Sequence, residues 1–141
     1  MTRVEFLQGL IGNRWEANAR GPDRWDCFHL MKHIELHLGG RDVGELEMPN
    51  NPTWAWMVDA VERHPARKQW REVPPARMGL VVAGDLSVVL MARRKNPAHV
   101  GVWLKPEATV IHADQDLGVV CDGLIDLHMK GWQRLRFYEP S

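Results

Sequence analysis

The chain has 141 residues, 45% of them hydrophobic, which is enough to bury one core without covalent staples. Its 18 basic and 18 acidic side chains cancel, so no global field draws nucleic acid or an anionic membrane surface, and neither is expected as a partner. No run is long and apolar enough to span a bilayer, and the opening MTRVEFLQGL lacks the features of a secretory signal, so synthesis in a cytoplasm without a signal peptide is expected.

In chain order, Thr2 and Glu5 form a capping box ahead of Val4, Leu7 and Ile11, whose spacing predicts a short helix ended by Gly12. Residues 13–25, rich in Asn, Arg and Gly, read as loop. Asp26 is the expected N-cap of a second helix, in which Cys27, Leu30, Met31, Ile34 and Leu38 share one face until Gly39-Gly40 stops it. Asn51-Pro52 opens a third helix with Trp54, Met57, Val58 and Val61 on one stripe, and Pro65 ends it. The period then changes to two. Residues 85–92, 98–104, 109–113, 117–121, 124–128 and about 132–138 read as short strands separated by turn signals. Helices followed by consecutive strands predict an α+β domain, with N-terminal helices packed on one side of a small antiparallel sheet.

Only two cysteines occur, Cys27 and Cys121, without a Cys-x-x-Cys spacing. Neither a disulfide framework nor a cysteine zinc motif is indicated, and a single bridge between the two stays open. Cys27 begins a helix, whereas Cys121 sits on a strand beside Val119 and Val120 and reads as a structural thiol.

The seven histidines sort by geometry. His29, His33 and His37 repeat every four residues, a stripe that helical rotation carries away from the Cys27 face. It reads as a solvated polar face rather than a metal site. His64 and His128 have no evident sequence partners and read as surface residues. His99 and His112 fall on consecutive strands around a turn at residues 105–108. If Leu104 pairs with Thr109, Gly101 opposes His112, His99 opposes Asp114, and the imidazoles become diagonal neighbours on one face. Diagonal separations of about 7 to 8 Å let one ring hydrogen-bond the other.

Five pieces now stand in order: Gly12 with Trp15, Asp26-Cys27, Gly84-Asp85-Leu86, His99-Val100-Gly101-Val102 and Ile111-His112-Ala113. The chain resembles the NlpC-like cell-wall endopeptidases of the papain-like cysteine peptidase superfamily, particularly the short type encoded by tailed phages. The resemblance covers the chain except for about residues 41–78, read as a family-variable insertion in a single domain spanning 1–141. Phe28-His29 stand where the family has Ser-Gly, and Trp15 where it has Tyr. An indole N–H donates one hydrogen bond but cannot exchange a proton as a phenol does, so altered substrate contacts are implied.

The resemblance implies a Cys27 nucleophile, a His99 general base and acid, and an orienting residue at His112, with Asp114 as the alternative orienter. Trp15 and Asp26 are the implied substrate contacts; no cofactor or metal is called for. A helix N-terminus and a nearby imidazolium lower a thiol pKa from about 8.5 to between about 3.5 and 7.5, so Cys27 is expected to be a primed thiolate. The implied substrates are peptides of bacterial peptidoglycan, including the bond between D-glutamate and diaminopimelate. The phage likeness adds tail proteins as partners and a virion tail or prophage origin. A catalytically silent tail-assembly or binding protein of the same fold is the alternative. Trp54, Trp56 and Trp70 read as core rather than substrate shelf, and the basic stretches at 63–77 and 93–95 read as solvated surface.

Overall fold

Three N-terminal helices form where their caps and apolar spacing direct. The structure, a computed structural model, describes residues 1–76, 80–94 and 97–141. Helix α1, Arg3–Leu10, begins with the Thr2–Glu5 capping box. Its buried face is Leu7 and Leu10 flanked by Phe6, whereas Val4 and Ile11 are exposed, so the expected stripe is rotated. Helix α2, Cys27–Gly39, is capped by Asp26 and stopped by Gly40, whose φ of 64° is the left-handed conformation that glycine adopts without a Cβ clash. Leu30 and Ile34 are fully buried on it, each contributing about 1.5 to 3 kcal/mol of hydrophobic stabilisation. Helix α3, Trp54–Arg63, takes its cap from Thr53, and a 3₁₀ turn, Pro65–Gln69, follows.

Residues 13–25, expected as loop, contain two short strands, β1 (Arg14–Trp15) and β2 (Arg24–Trp25), paired in parallel. The main sheet has six strands: β3 (Trp70–Val73), β4 (Ser87–Arg93), β5 (Ala98–Leu104), β6 (Thr109–Asp114), β7 (Gly118–Asp122) and β8 (Trp132–Pro140). Their spatial order is β3-β8-β4-β5-β6-β7, with every neighbouring pair antiparallel. Between β7 and β8, residues expected as a strand form helix α4, Leu124–Met129, capped by Gly123. Leu127 is its one buried side chain, so this segment anchors through a single point rather than an alternating row.

Side chains alternate across the sheet and create two cores. Leu30, Met31 and Ile34 of α2 and Met57 of α3 meet Leu90, Val100, Val102 and Ile111 on one face. On the other, Leu127 of α4 meets Val89, Met91, Trp103, Val110, Trp132 and Phe137. The helices therefore do not all lie on one side. Asp85, of the Gly84-Asp85-Leu86 stretch, ties α1 to the sheet: Arg3 donates to both of its oxygens at 2.6 and 2.9 Å, and it also accepts from the Lys105 N–H.

Candidate active site

Asp26 shapes the first turn of α2. Its Oδ1 accepts the His29 backbone N–H at 2.7 Å, and the His29 ring Nδ1 lies 2.9 Å from both carboxylate oxygens. A carboxylate only accepts, so the ring donates. This arrangement places Cys27 at the first helical position, buried against the start of β5.

The β5–β6 register is the expected one, with Leu104 opposite Thr109 and Val102 opposite Ile111. Gly101 faces His112. A Cβ at Gly101 would lie 2.9 Å from the Ile111 carbonyl oxygen and 3.1 Å from the His112 Cβ, so this close crossing requires glycine. Diagonally across it, His99 Nε2 and His112 Nδ1 are 3.0 Å apart, both rings buried. Trp132 stacks on His99 at 4.9 Å with a 19° interplanar angle, and the Arg93 guanidinium lies over the indole at 4.4 Å. The ring of His99 is thus held by packing as well as by hydrogen bonding.

Cys27 and His99 line one cleft of about 90 Å³, together with Trp15, Asp26, Asp114 and Trp132. His99 and Val100 alternate across β5, and the cleft is lined by Cys27 from α2 and by Ala98 and His99 from the start of that strand. Among the described residues, no hydrogen bond joins the Cys27 thiol to His99. With His99 Nε2 committed to His112, Nδ1 is the ring atom left for proton exchange in the cleft.

Electrostatics differ from the primed thiolate expected above. Burial pushes the Cys27 thiol up to about 12, against the opposing pull of the Val100 backbone N–H, and the Asp26 charge adds to the rise. Burial also holds His99 well below its ordinary value, helped by His112 and the Arg93 cation. Desolvation has beaten the helix terminus. At neutral pH both shifts favour the uncharged forms, a thiol and an imidazole that line one cleft.

Asp114 lines the cleft but spends its Oδ1 on the N–H groups of Asp116 and Leu117 at 2.8 and 3.0 Å, shaping the β6–β7 turn. The carboxylate that meets His112 belongs to Asp122, whose Oδ2 is 2.8 Å from Nε2. Asp122 in turn accepts Lys130 Nζ at 2.8 and 2.9 Å. Sequence reasoning missed both. The signal was available, because the diagonal rule that joined His99 to His112 reaches Asp122 when applied across β6 and β7, where Val110 faces Asp122 and His112 faces Val120.

The α2 histidines are not a solvated stripe. His33 is half-buried, stacked on Phe6 at 5.4 Å and close to Trp25 at 4.7 Å, while His37 is exposed and lies 5.1 Å from the Phe6 ring. His64 caps the 3₁₀ turn through Nδ1 and bonds the Glu45 carbonyl through Nε2, so it is a partnered residue; His128 is exposed. Among the described residues, no group of three or more His, Cys, Asp or Glu could hold a metal ion. Both cysteines are free, and Cys121 is half-buried. Trp70 is buried in the core and Trp54 and Trp56 pack against it. Of the basic stretches, Arg77 and Lys95 lie outside the described residues.

These features define an α+β protein with an NlpC-like fold. The structure is similar to that of NlpC2 from Trichomonas vaginalis, with a TM-score of 0.55 and 14% identity, over 96% of this chain and 44% of that one. This chain therefore spans less than half the length of that neighbour. No family model and no curated protein matches the sequence.

Proposed function

We propose that this chain is a cysteine peptidase that hydrolyses peptide bonds of bacterial peptidoglycan, with Cys27 as nucleophile and His99 as general base and acid. The observation that carries the reading is the shared cleft of Cys27 and His99, with His99 Nε2 tied to His112. As Sγ attacks the amide carbonyl, the thiol proton passes to His99 Nδ1; the C–N bond then breaks and His99 protonates the departing amine. Water next attacks the thioester, giving a proton to His99, and the acid and free thiol are released. The Cys27 N–H, in the helix turn where amides lack intrahelical acceptors, is the oxyanion donor in this scheme. Because the resting pair is neutral, proton transfer accompanies attack.

Trp15 and Asp26 are the proposed substrate contacts, Trp15 as an indole wall and Asp26 chiefly through the turn it shapes. The bond between D-glutamate and diaminopimelate, association with a phage tail and its proteins, and a virion or prophage origin belong to the same reading and rest on the sequence resemblance. So does the treatment of 1–141 as one domain with an insertion at about 41–78. The buried, neutral thiol and its lack of a hydrogen bond to His99 favour a second reading, a catalytically silent tail-assembly or binding protein. Defined muropeptides incubated with the protein, with products read by mass spectrometry, separate the two. Cleavage that disappears in Cys27→Ala supports the peptidase; intact muropeptides across pH 6 to 9 support the silent protein.

A further inference from the structure

We infer that Asp122, anchored by Lys130, is a positioning residue that sets the tautomer of His112 and, through it, of His99, leaving His99 Nδ1 bare in the cleft that Cys27 also lines. The inference rests on the peptidase reading for its purpose, but its geometry is independent of any substrate. Lysine only donates and a carboxylate only accepts. Lys130 Nζ lies within 2.9 Å of both Asp122 oxygens, and Asp122 Oδ2 lies 2.8 Å from His112 Nε2. His112 must therefore carry its proton on Nε2. A neutral imidazole protonated there has a bare Nδ1, which accepts from His99 Nε2 at 3.0 Å. His99 is then protonated on Nε2 and bare on Nδ1.

Without Asp122 the two imidazoles could equally share the opposite arrangement, in which His112 Nδ1 donates to His99 Nε2. That arrangement puts the His99 proton on Nδ1, where it blocks uptake of the thiol proton. Asp122 breaks this symmetry, because the opposite arrangement turns the bare His112 Nε2 against a carboxylate oxygen. Burial would raise the Asp122 carboxyl, but the hydrogen bonds from His112 and Lys130 outweigh it and hold the group below its ordinary value, ionised at neutral pH. The register of β7 brings Asp122 to the His112 side, and Lys130 arrives as the C-cap of α4. The short helix read from sequence as a strand thus delivers the cation that completes the chain.

The charged and titratable groups facing the pair are Asp26 and Cys27 at the start of α2, Arg93 from β4, Asp114 at the end of β6, Asp116 from the β6–β7 turn, Asp122 from β7 and Lys130 after α4. Among them, Asp122 favours a cationic His99 and Lys130 opposes it. Losing the carboxylate should therefore lower the pH at which His99 protonates, and losing the ammonium should raise it, each by roughly one unit or less.

The test reads tautomers by long-range proton–nitrogen NMR of the protein labelled with 15N-histidine, in the native chain, Asp122→Ala, Asp122→Asn and Lys130→Met. The native chain should show His99 and His112 both protonated on Nε2. Asp122→Ala should populate the Nδ1–H forms, and Asp122→Asn should do so too, because its amide oxygen accepts from Lys130 while its NH2 donates to a bare His112 Nε2. His99 protonation should move down in pH in Asp122→Asn and up in Lys130→Met, which a purely structural role would not produce. On a cleavable muropeptide, Asp122→Ala and Asp122→Asn should each lower kcat by about 10-fold or more with KM held. Nδ1–H on native His112, unchanged tautomers in Asp122→Ala, or shifts of the same sign in the Asn and Met variants would overturn the inference. If Asp122→Ala does not fold, the native tautomers and the two opposed shifts decide. Expected tautomers in a protein that cleaves nothing would reject the peptidase reading alone.

Discussion

Two groups of histidines occupy two regions of this molecule. On α2, His29, His33 and His37 are close in sequence and spaced for one helical face, the pattern that most resembles a designed site. On the sheet, His99 and His112 are 13 residues apart and are joined only by strand register. Yet the helical group ends as packing, with His33 and His37 against Phe6 and His29 bonded to its own N-cap, whereas the sheet pair forms a directional, buried chain ending in an ion pair. Proximity in sequence brings rings together; burial with one donor and one acceptor per link gives them a defined protonation.

The contrast breaks most visibly in turnover. His99→Gln should lower kcat by about 10²- to 10⁴-fold, because an amide neither takes nor gives a proton at neutral pH. His33→Gln and His37→Gln should leave kcat within about twofold, as neither lines the cleft. Steady-state kinetics on one muropeptide compares all three. A loss at His33 equal to that at His99 would erase the distinction.

A smaller effect is expected at Gly101. Gly101→Ala forces a Cβ against the Ile111 carbonyl and His112, at a cost of about 1 to 3 kcal/mol in stability, and should lower kcat further by spoiling the His99–His112 bond. Chemical denaturation and kinetics on the same sample separate the two losses. At His112 itself, Gln should keep more activity than Ala, since its amide oxygen can still accept the His99 Nε2–H. Equal losses in His112→Gln and His99→Gln would place both rings in the same role.

Acid sensitivity sharpens the comparison further. Burial holds His99 well below its ordinary value, and burial with help from His37 lowers His33. The unfolded chain therefore takes up protons near pH 6.5 while the folded chain does not, so stability is lost as pH falls below about 6.5. His99→Gln should flatten that decline below about pH 6.5. His33→Gln should flatten it less, because its ring is only half-buried. Thermal unfolding across that range reads the difference. The smallest effect on turnover is at Phe6, where Phe6→Ala should leave kcat unchanged while costing about 2 kcal/mol of stability in lost core packing and ring contacts.

Where local signals carried the information, the fold was legible. Thr2, Asp26 and Gly40 mark helix ends that the structure keeps, and the short turn at residues 105–108 set the register that joins His99 to His112. Long-range pairing was not legible: β3 exists because Trp70 to Val73 find Phe137 to Pro140 of β8, far along the chain, and nothing near Trp70 signals that partner. Helix α4 was misread because one buried side chain, Leu127, leaves no period to detect. Asp122 fell outside because the strand was ended at Cys121, one residue early. The protonation of Cys27 was inverted for a different reason. Sequence shows a helix start and nearby imidazoles, but not the burial that outweighs them.

Whether Cys27 is the nucleophile of a peptidase is decided by acid-quenched intact-protein mass spectrometry during turnover of a defined muropeptide. A transient acyl adduct should form on Cys27, kept in Cys121→Ala and absent in Cys27→Ala, with product appearing as the adduct decays. Product release that persists in Cys27→Ala, or an adduct that maps to Cys121, would contradict that role.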